Sequence, residues 1–459
     1  MTEVDLSRPT RIHMVAIGGK AMSAMAEILL AMGHHVTGSD LVDGPELAHL
    51  RSLGATVVVG HDAANVGDAG LVACSTAVSA DNVERQAALR RGIPVVSRPE
   101  LQGSIVGTRR ALAVSGTHGK SSTTAMLVTI CNHAGLDVSY IVGARIGNLG
   151  SARLGSGEWF VVEADESDGT FLQLGAEVAV VTNVDADHLD QWGSLDAIEA
   201  GFDRFLSEAT GGSMVGVDDP IANRLGARHG SLGVGLSPGA DWRIVEPEVG
   251  RGVTRFTLID PSGASTDVAV PEPGVYNARN AAMAIAAAHH LGVPVPVAVE
   301  ALARYAGLER RFQVRGEVGG VTVVDDYAHN PAKVTAVLAA AAAGGWDRVL
   351  AVFQPHRYSR TADLWASFAD SFVDADIVWV TELDPSGEPH RDDISGSLIW
   401  EAARRAHPDA DIRWAPDREA LIAEVVGELQ RGDLCITIGA GDITTLPSPL
   451  LEKLGETSP

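Results

Sequence analysis

The chain has 459 residues, more than a single hydrophobic core organises, so two to four domains are expected. Apolar residues make up 46% and charged residues 20%, the composition of a soluble globular protein. The formal net charge of −24 argues against nucleic acid or an anionic membrane as the main partner, although small anionic substrates can still bind at locally basic sites.

Three cysteines, Cys74, Cys131 and Cys435, lie far apart and lack the spacing of metal ligands. We expect them to be buried thiols in a reducing compartment. The N-terminal residues have no hydrophobic core of a signal peptide, and no apolar run reaches membrane-spanning length. The sequence therefore predicts a cytoplasmic protein.

Residues 12–100 alternate strand-like and helix-like patterns, beginning with IHMVAI and the amphipathic AMSAMAEILLAMG. Such alternation predicts a parallel sheet that binds ligands at the carboxyl ends of its strands. The first turn, AIGGKA, keeps only Gly18 of a dinucleotide fingerprint, and Asp40 stands where a ribose-binding acid is expected. This pattern indicates nucleotide binding in a broad sense, with a purely structural turn as the alternative.

The second block, from about residue 108 to about 311, opens with VSGTHGKSSTT between a short apolar strand and a helix-compatible run. Glycines there allow backbone N–H groups to converge beside the positive start of a helix, which predicts a phosphate cradle. Lys120 can reach the β- and γ-phosphates, and the Ser121 hydroxyl can ligate Mg²⁺. A glycine-rich turn without a ligand is the alternative.

Two further apolar strands of this block end in polar clusters. EWFVVEADESDGTF ends in acids suited to Mg²⁺, and EVAVVTNVDADHLD ends in His188, a candidate metal ligand or catalytic group. A solvated acidic turn and a structural histidine are the alternatives. In PGVYNARN, Asn277 and Asn280 are spaced to face one ligand from the start of a helix, or to cap that helix. The acids of the first cluster are Glu163, Asp165, Glu166 and Asp168.

The third block starts near Phe312. VTVVDDYAHNP reads as a strand and a polar loop, with Pro331 placed to open the next helix. RVLAVFQPHRYSRT repeats this plan, and Arg357 and Arg360 follow its strand. Arginines at a strand's carboxyl end suit a carboxylate or phosphate through paired hydrogen bonds.

The motifs GTHGKSSTT, EADESDGTF, TNVDADHLD, PGVYNARN, ERRF, DDYAHNP, FQPHRYSRT and IGAGDI occur in the order found in Mur ligases, which this chain resembles along nearly its whole length. The resemblance implies an α/β protein of three domains. Residues 1–107 would form a Rossmann-like domain for a UDP-sugar, 108–311 a central P-loop ATPase with a mostly parallel sheet, and 312–459 a Rossmann-like domain that closes on ATP and the amino acid.

The resemblance also implies the reaction. ATP phosphorylates the muramoyl carboxylate, and the amino group of the incoming residue attacks the acyl phosphate. Lys120 would bind the β- and γ-phosphates, and Ser121 and Glu163 would hold one Mg²⁺. His188 would hold a second Mg²⁺. The other implied ATP contacts are Gly116, Thr117, His118, Gly119, Ser122, Asn277, Asn280, Arg311 and Asp325.

Two further groups follow from the resemblance. Gly18, Gly19, Asp40 and Ser75 would lie along the UDP moiety. Tyr327, His329, Arg357 and Arg360 would face the amino acid and the acyl phosphate. The implied catalytic residues are Lys120, His188, His329 and Arg357.

Within the family, the chain is most similar to ligases that join L-alanine to UDP-N-acetylmuramate in peptidoglycan synthesis. Asn330 and Lys333 stand where His and Glu are usual, so a ligase that attaches murein tripeptide to the same sugar nucleotide is the alternative. Family members that add later residues use a carbamylated lysine in the central domain. This chain has no lysine between Lys120 and Lys333, which disfavours those members. Two more remote alternatives for the function are an NAD-dependent oxidoreductase and a non-catalytic nucleotide-binding protein. A monomer or homodimer is expected.

Overall fold

A computed structural model describes residues 4–457, except for the side chains of residues 190 and 457. Sheets of five, ten and six strands follow one another along the chain, which confirms the predicted α/β fold. The chain divides into two compact units. The first runs to Val245 and adds Leu258–Thr266 and Arg279–Tyr305, and the second takes the two intervening segments and the chain from Ala306 onward. The domain boundaries at residues 107 and 311 stay predictions.

The N-terminal sheet is fully parallel, with the order β3-β2-β1-β4-β5. The strands and helices predicted for residues 12–100 are all present. The helix α4 was not predicted, although SRPE contains its capping signal: Ser97 and Glu100 form a capping box around Pro99. The elements are β1 (Arg11–Val15), α1 (Lys20–Ala31), β2 (His35–Asp40), α2 (Pro45–Ser52), β3 (Thr56–Val59), β4 (Leu71–Cys74), α3 (Val83–Arg90), β5 (Val95–Ser97) and α4 (Arg98–Val106).

The central sheet has the order β15-β14-β13-β12-β11-β10-β6-β9-β7-β8. Its strands from β12 to β7 pair in parallel, and β8 is antiparallel to β7. The elements are β6 (Arg110–Ser115), α5 (Lys120–His133), β7 (Ser139–Ile146), β8 (Gly150–Arg153), β9 (Trp159–Glu163), β10 (Val178–Val181), α6 (Leu189–Trp192), α7 (Leu195–Glu208), β11 (Gly212–Gly216), α8 (Pro220–His229), β12 (Leu232–Gly235), β13 (Trp242–Gly250), β14 (Val253–Ile259), β15 (Ser265–Val270), α9 (Val275–His290) and α10 (Val295–Leu302).

The third sheet has the order β16-β17-β21-β18-β19-β20, parallel except for β16. Pro331 opens α11 as predicted, and the Asn330 side chain caps it by accepting from Lys333 N–H at 2.9 Å. The elements are β16 (Gln313–Val318), β17 (Val321–Asp326), α11 (Pro331–Ala343), β18 (Val349–Phe353), α12 (Tyr358–Leu364), β19 (Ile377–Val380), α13 (Ser397–Ala406), β20 (Asp411–Trp414), α14 (Arg418–Glu428), β21 (Leu434–Ile438) and α15 (Pro447–Thr457).

The apolar strands explain these layers. The central parallel strands are buried along nearly their whole length, for example Ala111–Ser115 of β6, because helices cover both faces of such sheets. All three cysteines are buried free thiols, as predicted. Among the described residues, no helix is both long and apolar enough to cross a bilayer.

A buried glutamate ties the N-terminal sheet together. Glu84 on α3 has no exposed surface and accepts hydrogen bonds from Ser39 Oγ at 2.5 Å and Asn65 Nδ2 at 2.6 Å. His13 Nε2 and His61 Nδ1 lie 3.4 and 3.3 Å from the same carboxylate. Burial would raise the pKa of Glu84, but hydrogen bonds from His13, Ser39 and Asn65 outweigh burial and lower it to about 2.

Glu84→Ala should lower the free energy of unfolding of the N-terminal sheet by about 3 kcal/mol, because it leaves buried donors without their acceptor. Since the pKa of Glu84 is depressed, its contribution is complete above the ordinary value of 4.5 and is lost as the pH falls toward about 2. Native-state hydrogen exchange of β1 and β2 at neutral and acidic pH measures both effects.

The matched control is Asp68→Ala, which removes an exposed ion pair with Arg11 from the same sheet. We expect it to leave exchange nearly unchanged. Equal protection of β1 and β2 in the two variants would contradict a stabilising role for Glu84.

Candidate active site

The turn between β6 and α5 depends on two glycines. Gly116 and Gly119 have φ angles of +128° and +83°, in the left-handed region that favours glycine. A Cβ on Gly116 would collide with the Thr182 hydroxyl, and one on Gly119 would collide with the Asn280 side chain amide. The turn therefore packs against the end of β10 and the start of α9 more closely than any other residue would allow.

The loop also shows which of its N–H groups are free for an anion. Thr117 N–H donates to Asn183 O at 3.0 Å, and His118 N–H donates to Asn183 Oδ1 at 2.8 Å. These two donors therefore bind the end of β10 rather than a ligand. The start of α5, at Lys120, has no side-chain cap, so its first N–H groups and positive dipole end are left for an anion.

Lys120 is the buried cation of this sheet edge. Its ammonium lies 2.6 Å from Glu166 Oε2 and donates to Gly116 O at 2.7 Å, with the two side chains 14% and 3% exposed. Burial would lower the pKa of Lys120, but the charges of Glu166, Asp165 and Glu163 outweigh burial and raise it. Burial raises the pKa of Glu166 against the opposing charge of Lys120. Lys120 is thus a firmly charged cation among three acids.

Two of the predicted metal ligands lie together. Ser121 Oγ donates to Glu163 Oε1 at 2.8 Å, and Glu163 Oε2 accepts from Gly143 N–H at 2.6 Å. Hydroxyl and carboxylate oxygens are ligands that suit Mg²⁺. His188 faces a different acid, with Nε2 3.9 Å from Glu166 Oε1. In the part of the chain that the structure describes, no three His, Cys, Asp or Glu side chains form a metal-binding cluster.

The predicted UDP residues lie at the carboxyl ends of three neighbouring strands of the N-terminal sheet. Gly18 N–H donates to Asp40 Oδ2 at 2.8 Å, so this acid closes the first turn. Gly19 N–H lies 3.4 Å from Ala16 O within that turn. Ser75 N–H donates to the end of β1 at 3.3 Å. Asp40 thus already has a protein partner, which weakens the dinucleotide interpretation.

Two of the implied ATP contacts, Asn277 and Asn280, lie in the first turns of α9 and are both buried. Asn277 Nδ2 donates to Pro273 O at 3.0 Å. Asn280 Oδ1 accepts from Thr123 Oγ1 of α5 at 3.3 Å. Asn280 therefore lies beside the phosphate loop, whereas the contact seen for Asn277 is with the chain just before its own helix.

The second unit holds the remaining predicted ATP residues. Asp325, at the end of β17, is fully buried, and its oxygens accept from Thr437 Oγ1 at 2.9 Å and Thr444 Oγ1 at 2.7 Å. This carboxylate therefore holds β21 and the turn after it. The Arg311 guanidinium lies over the Tyr327 ring, 5.5 Å from its centroid.

Two neutral histidines follow β17 and β18. His329 Nδ1–H donates to Tyr327 O at 2.8 Å, and His356 Nδ1 accepts from the Arg360 guanidinium at 3.0 Å. The centroids of the His329 and His356 rings are 6.1 Å apart. Burial, then Arg360 and Lys333, lowers the pKa of His329 to about 3, and burial, then Arg360, lowers that of His356 to about 4. Positive charge here therefore comes from arginine and lysine, not from histidine.

Arg357 has an unusual backbone. Its φ of +69° is one that residues with a side chain rarely adopt, and it costs about 1–2 kcal/mol. Its N–H donates to Asp384 O at 2.7 Å, just before α12 begins. Strain of this kind persists only where the surroundings impose it, and it concentrates at functional sites.

Three residues gain importance that the sequence did not give them. The sequence places Glu166 in an acidic cluster suited to Mg²⁺, and the structure makes it the ion-pair partner of Lys120. His356 precedes Arg357 in FQPHRYSRT and received no role from the sequence, and in the structure it accepts from Arg360. Lys333, noted only as a departure from the family, depresses the pKa of His329. Each lies inside a recognised motif, but its partner is distant in sequence or on another turn.

Comparisons with known proteins agree along the whole chain. Models of the Mur ligase family match residues 11–110 (catalytic domain), 114–288 (middle domain) and 310–441 (glutamate ligase domain). A UDP-N-acetylmuramate–L-alanine ligase of Geobacter sulfurreducens is 41% identical over 455 residues, covering 97% of this chain and 98% of that one.

Two solved structures are similar over almost their full lengths. The UDP-N-acetylmuramate-alanine ligase of Thermotoga maritima is 26% identical, with a TM-score of 0.83 over 98% of this chain and 100% of that one. A murein peptide ligase of Psychrobacter arcticus is 25% identical, with a TM-score of 0.70 over 97% and 99%.

Lys120→Ala should reduce ATP-dependent turnover at least about a hundredfold, because it removes a cation that meets developing charge on a phosphate. It should also lower the melting temperature, since Glu166 would be left as a buried acid without its partner. Adding Glu166→Gln to Lys120→Ala should restore the melting temperature but not turnover. Recovery of turnover in the double variant would show that Lys120 serves only to neutralise Glu166.

Proposed function

The chain belongs to the Mur ligase family, and from that premise we propose that it joins L-alanine to the lactyl carboxylate of UDP-N-acetylmuramate at the expense of ATP. The observation that carries the chemistry is the sheet edge where Lys120, the uncapped start of α5 and the Ser121–Glu163 pair lie together. A polyphosphate requires a cation, backbone N–H donors and metal-ligating oxygens, and this edge offers all three.

The loop residues 116–122 would hold the phosphates of ATP. The incoming triphosphate would take the place of Glu166 and Gly116 O as the partner of Lys120, so the cation moves from a carboxylate to the transferring group. Ser121 and Glu163 fit Mg²⁺ because both offer hard oxygens on one side of the loop. When bound, Mg²⁺ supplies neutralisation of charge on the phosphates.

A second Mg²⁺ would be held by His188. Two acids lie 3.9 Å from its Nε2, Glu166 through Oε1 and Asp187 through Oδ2. Release of Glu166 from Lys120 would leave that carboxylate free to share an ion with His188. The same acid would thus neutralise Lys120 before ATP binds and a metal afterwards.

The third sheet would supply the groups that meet the amino acid and the acyl phosphate. The guanidiniums of Arg357 and Arg360 suit a carboxylate or an acyl phosphate. His329 donates through Nδ1 to Tyr327, which leaves Nε2 as an acceptor for an ammonium or amine hydrogen. With a pKa of about 3 it orients the amine by hydrogen bonding and is a weak base.

A ligase for murein tripeptide is the second candidate, and one observation favours it. Lys333 adds positive charge beside His329, where family members usually have glutamate, and a peptide with free carboxylates would benefit. Against this candidate, the other departure from the family motif, Asn330, has a structural explanation, because its side chain caps α11. The higher TM-score to the alanine ligase than to the peptide ligase also favours alanine.

We further infer that the protein acts in the cytoplasm on small molecules, without nucleic acid or membrane as a partner, as a monomer or homodimer. The sugar nucleotide and ATP are cytoplasmic metabolites in organisms that make peptidoglycan. The net charge of −24 opposes association with other polyanions.

Phosphate release from ATP should require both UDP-N-acetylmuramate and an amino acid, because transfer occurs only to the sugar nucleotide's carboxylate. A coupled phosphate assay with L-alanine, glycine, L-serine and the tripeptide L-alanyl-γ-D-glutamyl-meso-diaminopimelate ranks the acceptors by kcat/KM. We expect L-alanine to be preferred by at least about tenfold, the discrimination that one methyl group gives in a fitted pocket.

The control omits the sugar nucleotide. Equal phosphate release without it would disprove the ligase assignment. Preference for the tripeptide would leave the family reaction intact and overturn only the choice of acceptor.

A further inference from the structure

One loop of the third sheet holds the start of α12 at three successive residues. This strap loop, residues 384–393, follows β19 and packs on the turn that carries Arg357. The contacts are Arg357 N–H to Asp384 O at 2.7 Å, Tyr358 Oη to His390 Nδ1 at 2.7 Å, Ser359 N–H to Glu388 Oε2 at 2.9 Å and Ser359 Oγ to Glu388 Oε1 at 2.5 Å.

The chemistry of His390 determines the direction of its bonds. Asp392 Oδ1 lies 3.0 Å from His390 Nε2, and a carboxylate only accepts, so Nε2 carries the hydrogen. In the neutral ring Nδ1 is then the acceptor, and the phenol of Tyr358 donates to it. Tyr358 is 9% exposed, and a phenol buried to that degree needs such a partner. The imidazole is thus fixed by Asp392 and in turn fixes Tyr358.

The residue held in this way is the strained one. Arg357 keeps its φ of +69° between an anchored N–H and an anchored following residue. Loss of the bond from Tyr358 to His390 removes one of the contacts that hold the turn against relaxation toward ordinary backbone angles, and such relaxation would re-aim the guanidinium. Glu388 supports the same turn by accepting from the Ser359 backbone at the start of α12.

We propose that His390 is a positioning residue, which acts through Tyr358 to hold Arg357 in the strained conformation that presents its guanidinium to the amino acid and the acyl phosphate. This role rests on the proposed function, because it assumes that Arg357 serves that part of the reaction. His390 does not touch a substrate itself. Loss of the bond between His390 and Tyr358 should therefore weaken binding of the amino acid and leave binding of ATP unchanged.

Two nearly isosteric variants separate the two nitrogens of the ring. In His390→Asn the amide oxygen can occupy the place of Nδ1 and accept from Tyr358, whereas in His390→Gln the amide reaches the place of Nε2 and the bond to Tyr358 is lost. Steady-state kinetics would compare both with His390→Ala in the full chain. We expect His390→Ala and His390→Gln to raise the KM of the amino acid about tenfold, the loss of one good hydrogen bond.

The same variants should leave the KM values of ATP and UDP-N-acetylmuramate within about twofold, since no substrate contact is removed. His390→Asn should retain nearly the native KM for the amino acid. Arg391→Ala is the matched control, because Arg391 lies on the same loop and forms its ion pair with Asp393 of that loop, at 2.9 Å, and the change should alter none of these values.

A melting curve of each variant distinguishes positioning from general stability. A merely structural role would lower the melting temperature and raise all three KM values together, and that result would overturn the proposal. An unchanged amino-acid KM in His390→Ala, or better function in the Gln variant than in the Asn variant, would also overturn it.

Arg357→Lys separates this proposal from the function on which it rests. If Arg357 serves the amino acid, Arg357→Lys raises its KM, and adding His390→Ala raises it little further because both changes act on one group. A normal amino-acid KM in Arg357→Lys would refute the assigned role of Arg357, and the positioning role with it. A raised KM in Arg357→Lys beside a normal one in His390→Ala would refute only the positioning role.

Discussion

The ion pair between Lys120 and Glu166 is the contact on which the central sheet edge depends. A buried ammonium is stable only with a carboxylate close by, and Glu166 provides it at 2.6 Å from the end of the neighbouring strand. In the proposed function a phosphate of ATP would replace this carboxylate as the anionic partner of Lys120. Ser121 at the start of α5 and Glu163 at the end of β9 would then be placed to hold an ion on that phosphate.

The third sheet has a different electrostatic design. Burial and neighbouring cations keep His329 and His356 neutral, so the ends of β17 and β18 carry fixed positive charges and uncharged hydrogen-bonding rings. Such an arrangement suits acyl transfer from an acyl phosphate, in which the attacking amine needs orientation and the departing phosphate needs cations. The strained backbone of Arg357 and the loop that holds it belong to the same design.

Much of this could be predicted from the sequence because local signals determined it. Apolar runs defined the parallel strands, Pro331 marked the start of α11, and glycines marked the turn before Lys120. The sequence could not reveal which residues, distant along the chain, would pair with each other in the folded protein. Nothing near Lys120 indicated that Glu166 would pair with it. Asp325 is committed to Thr437, more than a hundred residues away, and only the folded sheet reveals this.

In the proposed reaction, the carboxylate of the sugar nucleotide is activated by phosphorylation before the amine attacks. The most direct test uses UDP-N-acetylmuramate labelled with ¹⁸O in its lactyl carboxylate, with mass spectrometry of the phosphate released during turnover with L-alanine. An acyl phosphate passes one carboxylate oxygen to the leaving phosphate, so the account predicts one ¹⁸O atom in each phosphate formed. Unlabelled phosphate, with the ¹⁸O atom that the amide product loses found in AMP or in water instead, would contradict it.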